Sequence, residues 1–306
     1  MLSIPVKHDF AKTVKQGIIL DDMTRITVSA ENAQETRIFR KAGADEVVLA
    51  PEGCAMSALP EADMETIISC APVSLMMNRL FMPEDLHIPE SVLDALEPGQ
   101  IDRIYFSDPA LVKITEARGL KEKLVYRPEM LAVSTFDAAW WMSQKIGSVS
   151  VSPLLTRDEI ADILRKCPGL QVTVHGRLLM SVSGRPLLSA YREDTGTEFQ
   201  TDSRDLFLQE AKREGLMPVF ETESGTYIYS DFVQESFADL GLFRACGADS
   251  FYVERLGSGV QETVEAVRAI RRILDGSNAE KEAERYRMMF PELPLSEGYY
   301  GQKTIR

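Results

Sequence analysis

The chain has 306 residues, 44% of them hydrophobic and 26% charged, the make-up of a globular protein with one large domain or two ordinary ones. It holds 34 Lys and Arg against 47 Asp and Glu, a net charge of −13, which argues against unaided binding to nucleic acid, where neutralisation of phosphates dominates affinity. No apolar run approaches the ~20 residues of a membrane helix, and the first ten residues lack the marks of a secretion signal, so a cytoplasmic protein is expected. The four cysteines, Cys54, Cys70, Cys167 and Cys246, are widely scattered. That spacing suits neither a disulfide framework nor a metal cluster, and buried thiols are expected.

In chain order, β-rich runs predict strands near Arg25–Ser29, Glu46–Ala50, Val73–Met77, Arg103–Phe106, Lys123–Tyr126, Ser148–Val151, Gln171–Val174 and Ser250–Val253. Amphipathic helices are predicted between most of them, clearest over Ala33–Lys41, Ala62–Cys70, Phe136–Gln144, Arg157–Arg165 and Glu262–Leu274. Arg40–Leu49 and Arg244–Val253 share a Gly-Ala-Asp core, Gly43 to Asp45 and Gly247 to Asp249. Each reads as a helix end, a left-handed glycine cap and a buried strand. Eight short strands alternating with helices predict a (β/α)8 TIM-like barrel, with an open doubly wound sheet as the alternative.

The interval 176–249 is too long for a simple connection and reads as an insertion over the barrel mouth. Within it a polar stretch (Arg192–Asp205), a helix (Leu206–Glu214) and a hairpin are expected, the last with Pro218–Thr222 and Tyr227–Tyr229 as its arms. The barrel domain is set at 1–275 and a C-terminal docking tail at 276–306. Trp140 and Trp141 fall in a predicted helix beside Phe136 and are read as core.

Functional groups of such a barrel gather where strands end. The predicted strand ends bring Asn78, Ser107, Asp108, Glu129, His175, Glu254 and Arg255 to the mouth. Carboxylates, an imidazole and a guanidinium together suit a small anionic ligand. The plainer alternative is that half of them cap helices or anchor loops, Asp108 before Pro109 above all. Of the three histidines, His8, His87 and His175, the last alone stands at a strand end. Ser258 and Gly259 precede the last helix, where backbone amides make either an anion site or a plain cap. No nucleophile elbow and no zinc-protease motif is present.

Several of these segments form a recognisable set: His175-Gly176, Ser183-Gly184-Arg185, Leu187 to Tyr191, Tyr229 to Asp231, Tyr252 to Arg255, and a C-terminal run from Pro294 to Tyr300. The set resembles the collagenase-like peptidase family, U32, and the ending is similar to that of its short Gram-positive members. The resemblance implies one of two activities. One is tRNA modification, as the smaller partner of a longer, cluster-bearing family member in oxygen-independent 5-hydroxylation of the wobble uridine, with prephenate as a co-substrate. The other is peptide hydrolysis. A non-catalytic anion-binding barrel that scaffolds a partner is a further alternative. Acidic charge suits a subunit that leaves tRNA binding to the complex.

Cluster-bearing relatives carry cysteines where this chain has Leu179, Pro186 and a residue near Val233, so no iron–sulfur cluster is expected at the family site. The usual Glu-Gly-Arg reads Glu254-Arg255-Leu256. On this reading His175 and Glu254 are the candidate catalytic residues. Arg185, Asn78, Asp108, Glu129, Arg255, Ser258 and Gly259 are the candidate ligand contacts.

Overall fold

The structure is a computed structural model that describes residues 24–211 and 214–302. The N-terminal decapeptide and the last four residues of the tail lie outside the described residues. Strand β1 (Arg25–Ser29) leads through helix α1 (Ala33–Ala42) to β2 (Glu46–Pro51), and a two-residue β3 (Glu61–Ala62) pairs with the end of β2. The alternation continues through α2 (Met64–Cys70), β4 (Val73–Met77), α3 (His87–Asp94), β5 (Ile101–Phe106), α4 (Ala110–Glu116), β6 (Leu124–Tyr126), α5 (Thr135–Ser143), β7 (Ser148–Val151), α6 (Arg157–Lys166) and β8 (Leu170–Gly176). The insertion follows: β9 (Leu179–Ser183), α7 (Leu187–Thr195), β10 (Phe207–Gln209), β11 (Leu216–Thr222), β12 (Gly225–Tyr229), β13 (Val233–Glu235) and α8 (Leu240–Ala245). The chain returns to the barrel with β14 (Ala248–Val253) and finishes with α9 (Val260–Leu274), α10 (Ala279–Met289) and β15 (Leu295–Ser296).

Strands β1, β2, β4, β5, β6, β7, β8 and β14 are parallel neighbours in that order, and β14 pairs with both β8 and β1. The sheet therefore closes into the expected eight-stranded barrel, which leaves no open edge among these strands. Two apolar cores follow from the side-chain alternation of the strands. Outward residues such as Ile26, Leu75, Ile104, Val149, Val172 and Phe251 pack under the helices. Inward residues Val48, Met76, Tyr105, Val125 and Tyr252 form a second core, which runs upward into Leu179, Phe220, Tyr227 and Tyr229 of the insertion. That continuity seats the four-stranded sheet β10-β11-β12-β9 over the mouth.

The barrel interior is unusually polar. Strand alternation turns Thr27, Ser74, Ser150, Gln171, Thr173 and Ser250 inward, and all are buried. These short side chains leave room for Tyr105 and Tyr252, whose rings meet edge to face at 5.9 Å. Gln171 Nε2 donates to the Tyr105 hydroxyl at 2.9 Å and to Ser250 Oγ at 3.0 Å.

Both Gly-Ala-Asp joints perform as read. Gly43 and Gly247 have φ of 111° and 102°, the left-handed region glycine enters without strain. Asp45 accepts from the Ile26 amide at 2.7 Å and pairs with Arg271 at 2.5 Å. Asp249 pairs with Arg25, which also meets Glu46 at 3.3 Å. Arg103 completes this network at the barrel floor, 3.5 Å from Glu46.

Two expectations require correction. The predicted helix Leu206–Glu214 does not form at Phe207–Gln209, which runs antiparallel to Leu216–Pro218, because a neighbouring strand offers these residues ladder hydrogen bonds. Of the aromatic trio in α5, Trp141 alone is buried, stacked on Tyr126 at 4.0 Å, while Phe136 and Trp140 are exposed. Residues 136 and 140 share one helical face, and Ala138 and Trp141 take the other. In the tail, Ala279–Met289 forms α10, β15 pairs with β13, and Tyr300 is buried.

Burial pushes the Glu46 carboxyl up to about 7, against the pull of Arg25. Its folded pKa thus exceeds its unfolded value, so the folded state holds the extra proton between the two. Stability falls as pH rises through the window from about 4.5 to about 7. Urea denaturation should show that Glu46→Gln flattens the fall with pH, by at most about 1.4 kcal/mol per pH unit relative to wild type. Equal slopes for the two proteins would contradict the assignment.

Candidate functional site

The mouth is built from strand ends. Arg127 follows β6 and is buried. Its guanidinium lies 3.9 Å over the Tyr252 ring, with Nε donating to Glu129 Oε1 and Nη1 to Ser150 Oγ, each at 3.1 Å. Asn78, after β4, donates from Nδ2 to the same Glu129 oxygen at 3.1 Å and accepts from the Met56 amide at 2.9 Å. Glu129 reaches both from a left-handed backbone, φ 56°, a conformation uncommon outside glycine.

Glu254, after β14, is buried facing this group. Its Oε1 accepts from Ser29 Oγ at 2.6 Å and from the Leu256 amide at 3.1 Å, and its Oε2 stands 4.0 Å from Arg127 Nη2. Burial raises the Glu254 carboxyl above its ordinary value, more than Arg127, Ser29 and Leu256 lower it. Burial also opposes the charge of Arg127, but Glu129, Tyr252 and Glu254 outweigh it, and the guanidinium stays charged. Thr173, Arg177, Leu178, Leu179 and Tyr229 help close the cavity, whose volume is about 20 Å³. That is far below the several hundred Å³ of a small-molecule pocket, so any larger ligand requires the insertion to move. The arrangement offers a permanent cation beside a carboxyl whose hold on its proton is strengthened by burial.

Three expected residues, Asn78, Glu129 and Glu254, thus meet. His175 stands elsewhere. Its pairing with Val253 follows a register shift in which Thr173, Val174 and His175 face only Tyr252 and Val253. This bulge turns two successive side chains to one side, and His175 enters the helix layer. There it is fully buried, stacked on Phe237 and edge-on to Tyr286. The Tyr286 hydroxyl donates to the Glu262 carbonyl at 3.3 Å, which leaves its oxygen to accept from His175 Nε2–H at 2.8 Å. Burial lowers the imidazole to about 3, so it is neutral at ordinary pH. The adjoining Gly176 has φ 114°, and a Cβ there would collide with the Glu254 carbonyl. The His-Gly pair is therefore the place where the barrel seam closes against the mouth carboxylate.

The other expected contacts serve the loops. Arg255 pairs with Glu35 at 2.8 Å and with Glu31 at 3.6 Å, and it donates to the Ser258 carbonyl. The Gly259 amide donates to Glu262 Oε2 at 2.6 Å, so the N-terminus of α9 is capped by its own carboxylate. Asp108 accepts from Phe81 and Ala110 amides at 2.9 and 2.8 Å, a loop anchor. Arg185 lies exposed on the insertion and bonds through its backbone, its carbonyl accepting from Thr226 Oγ1 at 2.8 Å. The strand-end rule could have found Arg127, one residue past a predicted strand. Thr173 and Tyr252 depend on barrel closure.

The cluster positions fit no iron ligand. Leu179 packs in the inner core, Pro186 begins α7, and Val233 is buried in β13. The four cysteines are buried, with Cys54 raised by burial to about 12 and Cys167 to about 11. Among the described residues, no group of three or more His, Cys, Asp or Glu side chains is gathered to hold a metal ion. Nor is any helix among them long and apolar enough to cross a membrane.

His175→Ala should cost about 2–4 kcal/mol in urea denaturation, through lost packing and a stranded Tyr286 hydroxyl. The folded pKa of His175 lies below its unfolded 6.5. Its neutral form therefore contributes stability above about pH 6.5 that is lost as pH falls toward 3, and the variant should lack that part of the acid slope. A stability change under about 0.5 kcal/mol, typical of a surface site, would contradict this placement.

Comparison with known proteins follows the same lines. The chain is 23% identical over 210 residues to tRNA hydroxylation protein P2 of Bacillus subtilis, covering 67% of this chain and 68% of that one. It is 33% identical over 92 residues to tRNA hydroxylation protein P of Haemophilus influenzae, 29% of this chain and 20% of that one. With the Escherichia coli protein P it shares 23% over 227 residues, 59% of this chain and 50% of that one. It thus spans half or less of the two P proteins. Among solved structures, the spore cortex-lytic enzyme SleL of Bacillus megaterium aligns over 80% of this chain and 73% of that one at 10% identity, with a TM-score of 0.36, and no argument rests on it. The profile of peptidase family U32 matches residues 31–304, and the chain belongs to that family.

Proposed function

We propose that this chain is a component of a tRNA hydroxylation system, the smaller partner of a longer, cluster-bearing member of family U32 that acts in the cytoplasm on the wobble uridine. The observation that carries the reading is its alignment with protein P2 over two thirds of both chains, in a chain with Leu179, Pro186 and a residue near Val233 where the family resemblance puts cluster thiols. The net charge of −13 favours a division of labour in which the partner supplies most of the tRNA surface.

In this proposal the mouth receives a small anion, with prephenate as the candidate co-substrate. Arg127 binds a carboxylate, Glu254 holds or moves a proton, and Asn78 and Glu129 keep the guanidinium aimed. Entry of a ring requires the insertion to lift, since the cavity is about 20 Å³. His175 serves as an anchor of the seam. Arg185 is a second candidate anion contact, outside the cavity. Peptide hydrolysis is not favoured, because the hydrogen bonds of His175 and His87 go to Tyr286 and the Glu84 carbonyl rather than to a nucleophile.

Mass spectrometry of tRNA nucleosides from a strain lacking the gene tests the reading. The 5-hydroxyuridine derivatives should fall and return on complementation. Unchanged levels where no oxygen-dependent route operates would overturn it. Complementation with Arg127→Ala or Glu254→Gln should restore about 100-fold less modification per unit time if those groups act on the ligand. Full restoration by both would leave a scaffolding role. Purified anaerobically without its partner, the chain should hold well under one iron per molecule.

A further inference from the structure

The gap between Arg127 and Glu254 is held open. At 4.0 Å, Nη2 and Oε2 are beyond hydrogen-bonding distance, yet neither side chain is slack. Arg127 is pinned by Glu129 and Ser150, each at 3.1 Å, and by the Tyr252 ring beneath it. Glu254 is pinned through its other oxygen by Ser29 at 2.6 Å and the Leu256 amide at 3.1 Å. Closing the gap would break one of these sets.

Thr173 lines the same cavity from β8. It is 3% exposed, and its Oγ1 has no hydrogen-bond partner among the described residues. The cavity volume of about 20 Å³ exceeds the roughly 10–15 Å³ that one water requires, and a water needs two to four polar partners. A donor, an acceptor and a hydroxyl surround this space. Arg127 and Arg177 balance Glu129 and Glu254 around this cavity, so a neutral guest is favoured while Glu254 is charged, and an anion only once Glu254 has taken up a proton.

We propose that one ordered water binds at this point. It accepts from Arg127 Nη2, donates to Glu254 Oε2 and hydrogen-bonds Thr173 Oγ1. The water joins the ends of β6, β8 and β14 into one polar unit under the lid formed by Leu178, Leu179 and Tyr229. It also marks where the first oxygen of an entering ligand would sit, because displacing it exposes one donor, one acceptor and one hydroxyl together. This site is independent of the tRNA reading and stands or falls by itself.

High-resolution crystal structures of the full-length wild type and of Thr173→Val, grown in bromide, test the site. The wild type should show a single peak about 2.6–3.2 Å from Arg127 Nη2, Glu254 Oε2 and Thr173 Oγ1, with no anomalous bromide signal. In Thr173→Val, nearly the same shape, the peak should weaken or shift. Direct contact between Arg127 and Glu254 with no peak between them would overturn the proposal. So would bromide at the site, or a peak unchanged in the variant. The wild-type crystal alone decides the main point if Thr173→Val does not fold.

Discussion

Closure of the barrel between β8 and β14 is the constraint on which the rest depends. At this seam the chain leaves for an insertion of some seventy residues and returns to pair in parallel with the strand it left. Two local devices make the closure possible. A bulge at Val174 turns His175 into the helix layer, and Gly176 adopts a backbone conformation open to glycine while the Glu254 carbonyl packs against it. The first device recruits Tyr286 and Phe237 and fastens α10 to the barrel. The second brings the carboxylate of β14 to the mouth. One irregularity thus anchors the C-terminal helix and shapes the candidate site.

The polar interior is the complement of that closure. Barrels are commonly filled by branched aliphatic side chains. Here small hydroxyl residues admit two tyrosines and a buried arginine instead. A buried guanidinium is costly unless its donors are met, and Arg127 is met by Glu129, Ser150 and the face of Tyr252. Asn78, itself fixed by the Met56 amide, then holds Glu129 in place. Such a preorganised charge suits ligand binding better than stability, since an apolar filling would pack the same space at lower electrostatic cost. The insertion completes the site by contributing Leu179 and Tyr229 to the inner core, and the apolar cover lowers the dielectric around the charges beside it.

The fold was legible because its signals are local. Each of the eight barrel strands is a short β-rich run with apolar residues on its outward face, and each Gly-Ala-Asp joint announces a helix end and a strand start within a few residues. The failures are equally physical. The stretch Phe207–Gln209 has helical composition but lies beside β11, and ladder pairing overrides propensity. Phe136 and Trp140 are as apolar as Trp141, and only packing assigns one of the three to the core.

For the site, the sequence by itself determined the inventory: carboxylates and Asn78 at strand ends, an acidic net charge of −13, and no cysteine between Cys167 and Cys246. Tertiary structure decided which of these meet. Strand alternation and one bulge choose the side of the barrel wall that a residue occupies, and a shift of a single residue moves a side chain across it. That is why Glu129 and Glu254 share a cavity with Arg127, with Asn78 bonded to Glu129, while His175, the residue most prominent in the sequence, faces Tyr286 on the far side of the sheet.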